Sequence, residues 1–485
     1  MSLFKRLKVA LLNKITLYII SRYFVFFIQF VASMFLAVKL GPYYFGIWGF
    51  ILLLITYFDL FNLGIPNSTT VLLVQYKNET VKNRNIETTS VFLIALLGIF
   101  VVALALYYYI WGISWFNKYQ VGSFFYGVCF IAILVYFNNL FSKIYRVKGR
   151  IFEIALFQSI VPVLTFIVLF FAKDRVLLYV LLGAYILGQL FSLLMFVKGK
   201  RIQFDGDPSV GDAKKILTKG FFLFIYSSCF YLIVLSTRTI ISAYYSVEEF
   251  GYFTFAYTLA NSVLLLLEAF SYLITPKLLD KVNSPDVKQV EATINSLRDN
   301  YVSLSHGLMY LAICLFPILL YFIPKYSNTL SIINLVALTL LLYTNSFGYI
   351  SLLMARNREK IIAINSFLVL ILNILIAFVL VKMFHVKFNY VVISTMCSYL
   401  VYSYLLVFFG MRELNQSRHF RAVIRNCFPL KLLIPFIVAF VIILLDLQIF
   451  IFIPGIIFVI LNINSLKSVF KMSKKIINNP SIIDL

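Results

Sequence analysis

Charge is scarce in this sequence: 13% of its 485 residues are Asp, Glu, Lys or Arg, against 62% that are hydrophobic. A soluble globule carries roughly 25% charged residues, so the chain has too little polar surface to cover itself in water. Histidine is scarcer still. His306, His385 and His419 stand far apart, without the spacing of metal ligands, and neither a metal nor any other cofactor is expected. The five cysteines (Cys129, Cys229, Cys314, Cys397 and Cys427) lie in or beside apolar stretches with no paired spacing. They exclude a disulfide frame and read as small buried hydrophobes. A phosphate-binding Gly-x-x-x-x-Gly-Lys loop is also missing, so no nucleotide-driven engine is encoded.

What the sequence has instead is long apolar runs. About 20 helical residues cross the ~30 Å of hydrocarbon in a bilayer. That ruler gives candidate spans at 15–38, 45–66, 89–110, 122–142, 152–172, 176–197, 219–242, 252–274, 300–323, 329–353, 361–381, 389–410, 431–447 and 449–464. The expected fold class is therefore all-α: a polytopic membrane protein of about 14 transmembrane helices. The largest cytoplasmic loops, near 198–218 and 275–299, are too short for a soluble domain.

The formal charge of +23 comes from 42 Lys and Arg against 19 Asp and Glu. With the N-terminus in the cytoplasm, 33 of the 42 fall in cytoplasmic tails and loops, counting Lys219 and Lys431 at the cytoplasmic edges of their spans, seven in external loops and two, Arg22 and Arg238, inside spans. A wrong span count would scramble that alternation. The bias fits cytoplasmic N- and C-termini, and it accounts for the basicity without a nucleic-acid partner. Tyr43, Tyr44, Tyr107, Trp111 and Tyr244 fall near predicted outer ends, as interfacial aromatics do.

The two halves echo each other. Phe45-Gly46 opens the second span and Phe250-Gly251 the eighth, 205 residues apart; Lys148-Gly149-Arg150 and Arg356-Asn357-Arg358 open the fifth and eleventh, 208 apart. The offset predicts a six-helix bundle over 1–200, a second over 201–425, and an additional helix pair and tail over 426–485. An even helix number gives both copies the same orientation, the parallel-repeat plan with a central site between the halves.

Four charges lie deep within spans: Arg22, Asp59, Arg238 and Glu268. Each costs about 2.5–3.5 kcal/mol at a helix centre even on the lenient insertion scale, so such residues face a cavity or a partner. Arg22, Gln29 and Ser33 share one helical face, as do Ser227, Tyr231, Arg238 and Ser242. The 205-residue shift lays these two stripes over each other, with the arginine at a different depth on each. Tyr257, Asn261, Glu268 and Tyr272 form a third stripe, and Thr56, one turn before Asp59, maps onto Asn261. Arg22 and Asp59 are close enough in depth to form an ion pair. Arg238 and Glu268 differ by roughly 15 Å along their helices at 1.5 Å per residue, which leaves Arg238 either snorkelling outward or offering a forked cation to an anionic substrate. Asp205-Gly206-Asp207 has the acidic spacing of many nucleotide-sugar transferases, but without an α/β domain it reads as a solvated turn.

The stretch Leu40-Gly41-Pro42-Tyr43-Tyr44-Phe45-Gly46-Ile47-Trp48, followed by Phe58-Asp59-Leu60-Phe61-Asn62-Leu63-Gly64-Ile65-Pro66, resembles the opening of Wzx-type polysaccharide-unit flippases. These belong to the multidrug/oligosaccharidyl-lipid/polysaccharide exporter superfamily. Glu249–Tyr252, and Asn357-Arg358-Glu359-Lys360 with Asn365 and Asn373, are similar to the family's later spans. Helix count and repeat extend the resemblance over nearly the whole chain. Ser227 is the departure, since it stands where a second copy of Arg22 would be. The resemblance implies a MATE-like fold and no enzymatic activity. It also implies that a multi-pass protein of the bacterial inner membrane carries undecaprenyl-diphosphate-linked oligosaccharide outward, by alternating access of two bundles. The product would be O-antigen or capsule, with membrane lipids, a polysaccharide polymerase and a chain-length regulator as partners. Arg22, Asp59, Arg238, Asn261 and Glu268 are the expected substrate-binding residues. The rival readings are a drug or cation antiporter of the same superfamily, which favours twelve spans and an acidic cavity, and a membrane glycosyltransferase or polymerase, which needs a large external loop.

Overall fold

A chain in hydrocarbon must satisfy every backbone N–H and C=O within its own segment, so apolar runs of this length become helices. The computed structural model describes residues 14–282 and 286–478, with the side chains at 14–20, 114, 222–223, 268–280 and 472–478 outside that description. Among the described residues there are helices and turns and no strand. Twelve helices are long and apolar enough to cross a membrane, or thirteen with Phe420–Cys427 and Leu430–Leu444, bent by 73°, taken as one crossing. The first of them, Ser21–Gln75, has 55 residues, about 80 Å of helix and far more than one bilayer. It breaks at Gly41 (φ 65°, ψ 174°) before Pro42. Glycine enters the left-handed region without strain, and proline starts the next helix because its missing N–H is unneeded there. Division at Gly41 makes two helices of this segment, each long enough to cross on its own.

The chain divides into two compact units, Met1–Ser228 with Ser246–Gly251, and Cys229–Tyr245 with Tyr252–Leu485. In the first unit Gly122–Val147 runs through the middle, against Lys14–Leu60, Ile65–Gln75, Thr80–Trp111 and Asp174–Lys198. A second left-handed glycine, Gly64 (φ 70°), begins Ile65–Gln75, and any Cβ there would lie 2.7 Å from Gly220 O. The hexapeptide Ser246–Gly251 packs on the start of the second span in a reciprocal way. A Cβ on Gly46 would strike Val247 O, and one on Gly251 would strike Pro42 O. Pro42 and Val247 are 205 residues apart, as are Gly46 and Gly251, so the sequence offset maps this crossing onto itself. Small residues allow the close backbone approach.

The loop that follows Asp174–Lys198 is strapped to the start of Thr80–Trp111. Gln203 N donates to Glu87 Oε2 (2.9 Å), Gly206 N to Thr88 Oγ1 (3.1 Å), Asp207 N to Asn85 Oδ1 (3.0 Å) and Arg84 Nη1 to Asp205 Oδ2 (3.0 Å). Asp205-Gly206-Asp207 is thus a docked structural turn. Below it Glu87, 1% exposed, pairs with Lys148 at 2.6 Å, and Asp212 pairs with Lys82 at 2.6 Å.

In the second unit Leu330–Thr344 is apolar on nearly every face and is buried continuously from Ile332 to Leu342, as a helix without a polar side must be. It packs on Val392–Glu413, which also meets Glu359–Lys382. Of the C-terminal pair, Ile453–Asn478 packs on Leu430–Leu444 and on Val287–Tyr321, where Phe458 lies 5.3 Å from the Tyr310 ring.

Candidate functional site

Each unit carries a set of polar side chains at membrane depth. In the first, Arg22 is half-buried and its Nη2 donates to Gln158 Oε1 at 3.0 Å. Gln158 ends the helix Ile151–Gln158, just before Ile160–Val168 begins. Pro162 accounts for that interruption, because it has no N–H to give to the carbonyl of Gln158 four residues back. Asp59 accepts a hydrogen bond from Asn139 Nδ2, and Lys143, one turn beyond Asn139, is within electrostatic reach. Asn62 Nδ2 donates to Asp59 O (2.7 Å) and its Oδ1 accepts from Gly64 N (2.9 Å), closing the turn after Leu60. The ion pair between Arg22 and Asp59 that the sequence left open is not among the described contacts, which run to Gln158 and to Asn139.

The remaining stripe residues of this unit are satisfied partly within their own helix. Ser33 Oγ donates to Gln29 O at 2.8 Å and Thr56 Oγ1 to Leu52 O at 2.7 Å, the back-bonding expected of hydroxyls on a helix.

In the second unit Arg238 is 7% exposed, and its guanidinium lies over the Tyr257 ring, 5.1 Å from the centroid. It is covered by protein. The backbone that presents it is clamped. Asn373 Nδ2, fully buried on Glu359–Lys382, donates to Ile233 O (2.8 Å), Ser236 Oγ (2.8 Å) and Thr237 Oγ1 (3.0 Å), while Ser398 Oγ donates to Asn373 Oδ1 (3.3 Å). Thr237 also bonds to Thr395 Oγ1 at 2.8 Å. Three helices therefore meet on the residue just before Arg238. Asn261 is half-buried one turn along from Tyr257. Glu268 stands on the helix Val247–Val282, but its side chain is outside the described residues.

Charge alone located Arg22, Asp59 and Arg238, and missed the amides and hydroxyls that hold them: Gln158, Asn139 and Thr237. The signal was present, since an amide inside a 20-residue apolar run needs a partner for the same reason a charge does. Among the described residues no three of His, Cys, Asp or Glu converge as metal ligands would.

The model of the family described as polysaccharide biosynthesis protein matches residues 11–274, more than half of the chain. The chain belongs to this polysaccharide biosynthesis family. Its fold is shared with solved transporters of low sequence identity. The inward closed conformation of the lipid II flippase MurJ matches with a TM-score of 0.66 and 16% identity, covering 94% of this chain and 99% of that one. The inward-facing conformation of a multidrug resistance MATE family transporter of the MOP superfamily matches with a TM-score of 0.64 and 14% identity, covering 84% of this chain and 97% of that one. No curated protein sequence matches the chain. This member of the polysaccharide biosynthesis family is thus a multi-pass membrane protein with a MATE- and MurJ-like fold, and the two solved proteins that share the fold are a transporter and a flippase.

Proposed function

We propose that the protein is a Wzx-type flippase, carrying undecaprenyl-diphosphate-linked oligosaccharide from the cytoplasmic to the outer leaflet of a bacterial inner membrane, with both termini in the cytoplasm. The family membership supports a role in polysaccharide assembly, and the fold is one that a lipid II flippase also uses. The observation that carries the reading is Arg238: a guanidinium buried in the second unit over the Tyr257 ring, on a helix segment that Asn373 and Thr395 clamp through Ser236 and Thr237. In place of that ring a diphosphate offers a bidentate anion, which binds a guanidinium more strongly than a neutral ring does.

Arg22, half-buried and bonded to the neutral Gln158, meets the diphosphate from the cytoplasmic side in this scheme. Arg238, covered by Tyr257 in the conformation described, takes it over later in the cycle. Asp59, between Asn139 and Lys143, and Glu268 tune these charges or couple them to an ion, and Asn261 contributes a polar contact beside Tyr257. In a flippase-null strain, Arg238→Ala abolishes surface polysaccharide at normal protein abundance, and Arg238→Lys restores part of it, since a lysine keeps the charge without the fork. Full export by Arg238→Ala would remove the reading's physical basis.

A further inference from the structure

We propose that the short helix Phe420–Cys427 lies in the membrane surface and binds a phospholipid headgroup, with Arg421 and Arg425 holding the phosphate of an anionic lipid. The turn that follows it sets the geometry. Phe420–Cys427 meets Leu430–Leu444 at 73°, so only one of the two runs along the membrane normal. Leu430–Leu444 is the apolar one, and its 15 residues give about 22 Å of helix, less than the ~30 Å of hydrocarbon in a bilayer. A short crossing has its ends drawn to the level of the headgroups. Phe420–Cys427, with two arginines in eight residues, is therefore laid along that surface, where a guanidinium escapes the cost of the bilayer interior.

This helix is fixed in place and has three distinct faces. Val423 and Cys427, both fully buried, belong to a core cluster with Ile294, Leu352, Val407 and Met411. Arg298 grips the same end of the helix, donating to Asn426 O and Oδ1 and to Asn345 O (3.0 Å). Phe420, 67% exposed, and the half-buried Ile424 make an apolar flank. Arg421 and Arg425, both exposed, stand one turn apart on the side away from Val423 and Cys427. Among the described residues neither guanidinium has a hydrogen bond or an ion pair. Glu413, the carboxylate that precedes them, is taken by Arg358 at 3.0 Å, and the sequence holds no other acid before Asp446.

That charge pattern selects the ligand. Like charges four residues apart repel and weaken a helix, and no acid of the protein relieves this pair. Their Cβ atoms are about 5–6 Å apart, so one phosphate reaches both forks. A phospholipid brings its phosphate to this depth and lays its acyl chains against Phe420 and Ile424, which a soluble anion leaves uncovered. An anionic headgroup suits the site better than a zwitterionic one, whose own cation competes with the arginines. Chain orientation alone does not call for this arrangement, because lysine or arginine anywhere in a short loop serves it.

The full-length protein in mixed micelles is titrated with phosphatidylglycerol, phosphatidylcholine or inorganic phosphate while backbone hydrogen exchange is followed over 418–428. Phosphatidylglycerol slows exchange in this segment at lower concentration than phosphatidylcholine does. Arg421→Gln/Arg425→Gln raises the phosphatidylglycerol midpoint about thirtyfold, the worth of two basic residues at an anionic surface. Lys198→Gln/Lys214→Gln, an equal loss of charge from exposed positions, leaves it unchanged. Rising salt brings the wild type toward the glutamine variant. An unchanged midpoint in Arg421→Gln/Arg425→Gln, or equal protection of the wild type by the two lipids, overturns the site. Protection by inorganic phosphate as strong as that by phosphatidylglycerol assigns a free anion and overturns the lipid.

Discussion

Replacing Asn373 with alanine tests the clamp behind Arg238. The two N–H groups of the amide serve three acceptors, and its oxygen accepts from Ser398, so the substitution removes the equivalent of about three hydrogen bonds. Interhelical bonds in membrane proteins average about 0.6 kcal/mol each, and buried bonds reach about 1.5 kcal/mol. The site is fully buried, so a small cavity adds to the loss. The expected destabilisation is about 2–4 kcal/mol, read as a shift in the SDS-induced unfolding curve of the purified protein in mixed micelles. Because Thr237 loses one of its partners and precedes Arg238, backbone hydrogen exchange over 233–238 should rise in the same variant. A change under about 0.5 kcal/mol, the scale of an ordinary surface substitution, with unchanged exchange, would refute the clamp.

Alanine at Gly46 or at Gly251 drives a Cβ into a backbone carbonyl that cannot step aside; each variant should lose its monodisperse peak in size-exclusion chromatography, while Gly183→Ala, which meets nothing within 4 Å, keeps it. Glu87→Gln weakens the pair with Lys148 and the bond from Gln203 N, and limited proteolysis should then cut within 199–209 at least severalfold faster than in the wild type. Burial opposes the charge on Asp212, but Lys82, Ser209 and Lys215 prevail and hold its carboxyl below the ordinary value. A depressed folded-state value gives stability that is present above about pH 4 and is lost as pH falls through the folded value. Asp212→Asn should therefore lower the melting temperature at pH 7, and the gap to wild type should close as the pH drops below 4.

The spans were legible because length and hydropathy alone decide what can cross a bilayer. Gly41-Pro42 could be read as a helix boundary for the same local reasons that make it one. The partners of the buried charges were not legible. Whether Arg22 meets Asp59 or Gln158 depends on how far each helix is rotated about its axis, and an apolar helix carries little pattern to record that rotation. Asp205-Gly206-Asp207 shows a similar limit. Its residues announced a turn, but that the turn docks on 84–89 follows from amides and hydroxyls of a distant helix, which no local rule connects to it. Arg238 was legible as an anomaly of charge, whereas Asn373, which holds its segment, is neutral and passes through a hydropathy window unnoticed.

The membership of Ser246–Gly251 in the first unit has a practical result for anyone dividing this polypeptide. A cut at the obvious place, between the two sequence copies, would yield an amino-terminal fragment deprived of six residues that its own helix ends are shaped to receive. Gly46 would then face a gap that its lack of a side chain cannot fill. Complementation from two separately encoded pieces should succeed only when the downstream piece donates that hexapeptide back, which makes joint production of the halves, and not their individual purification, the workable design.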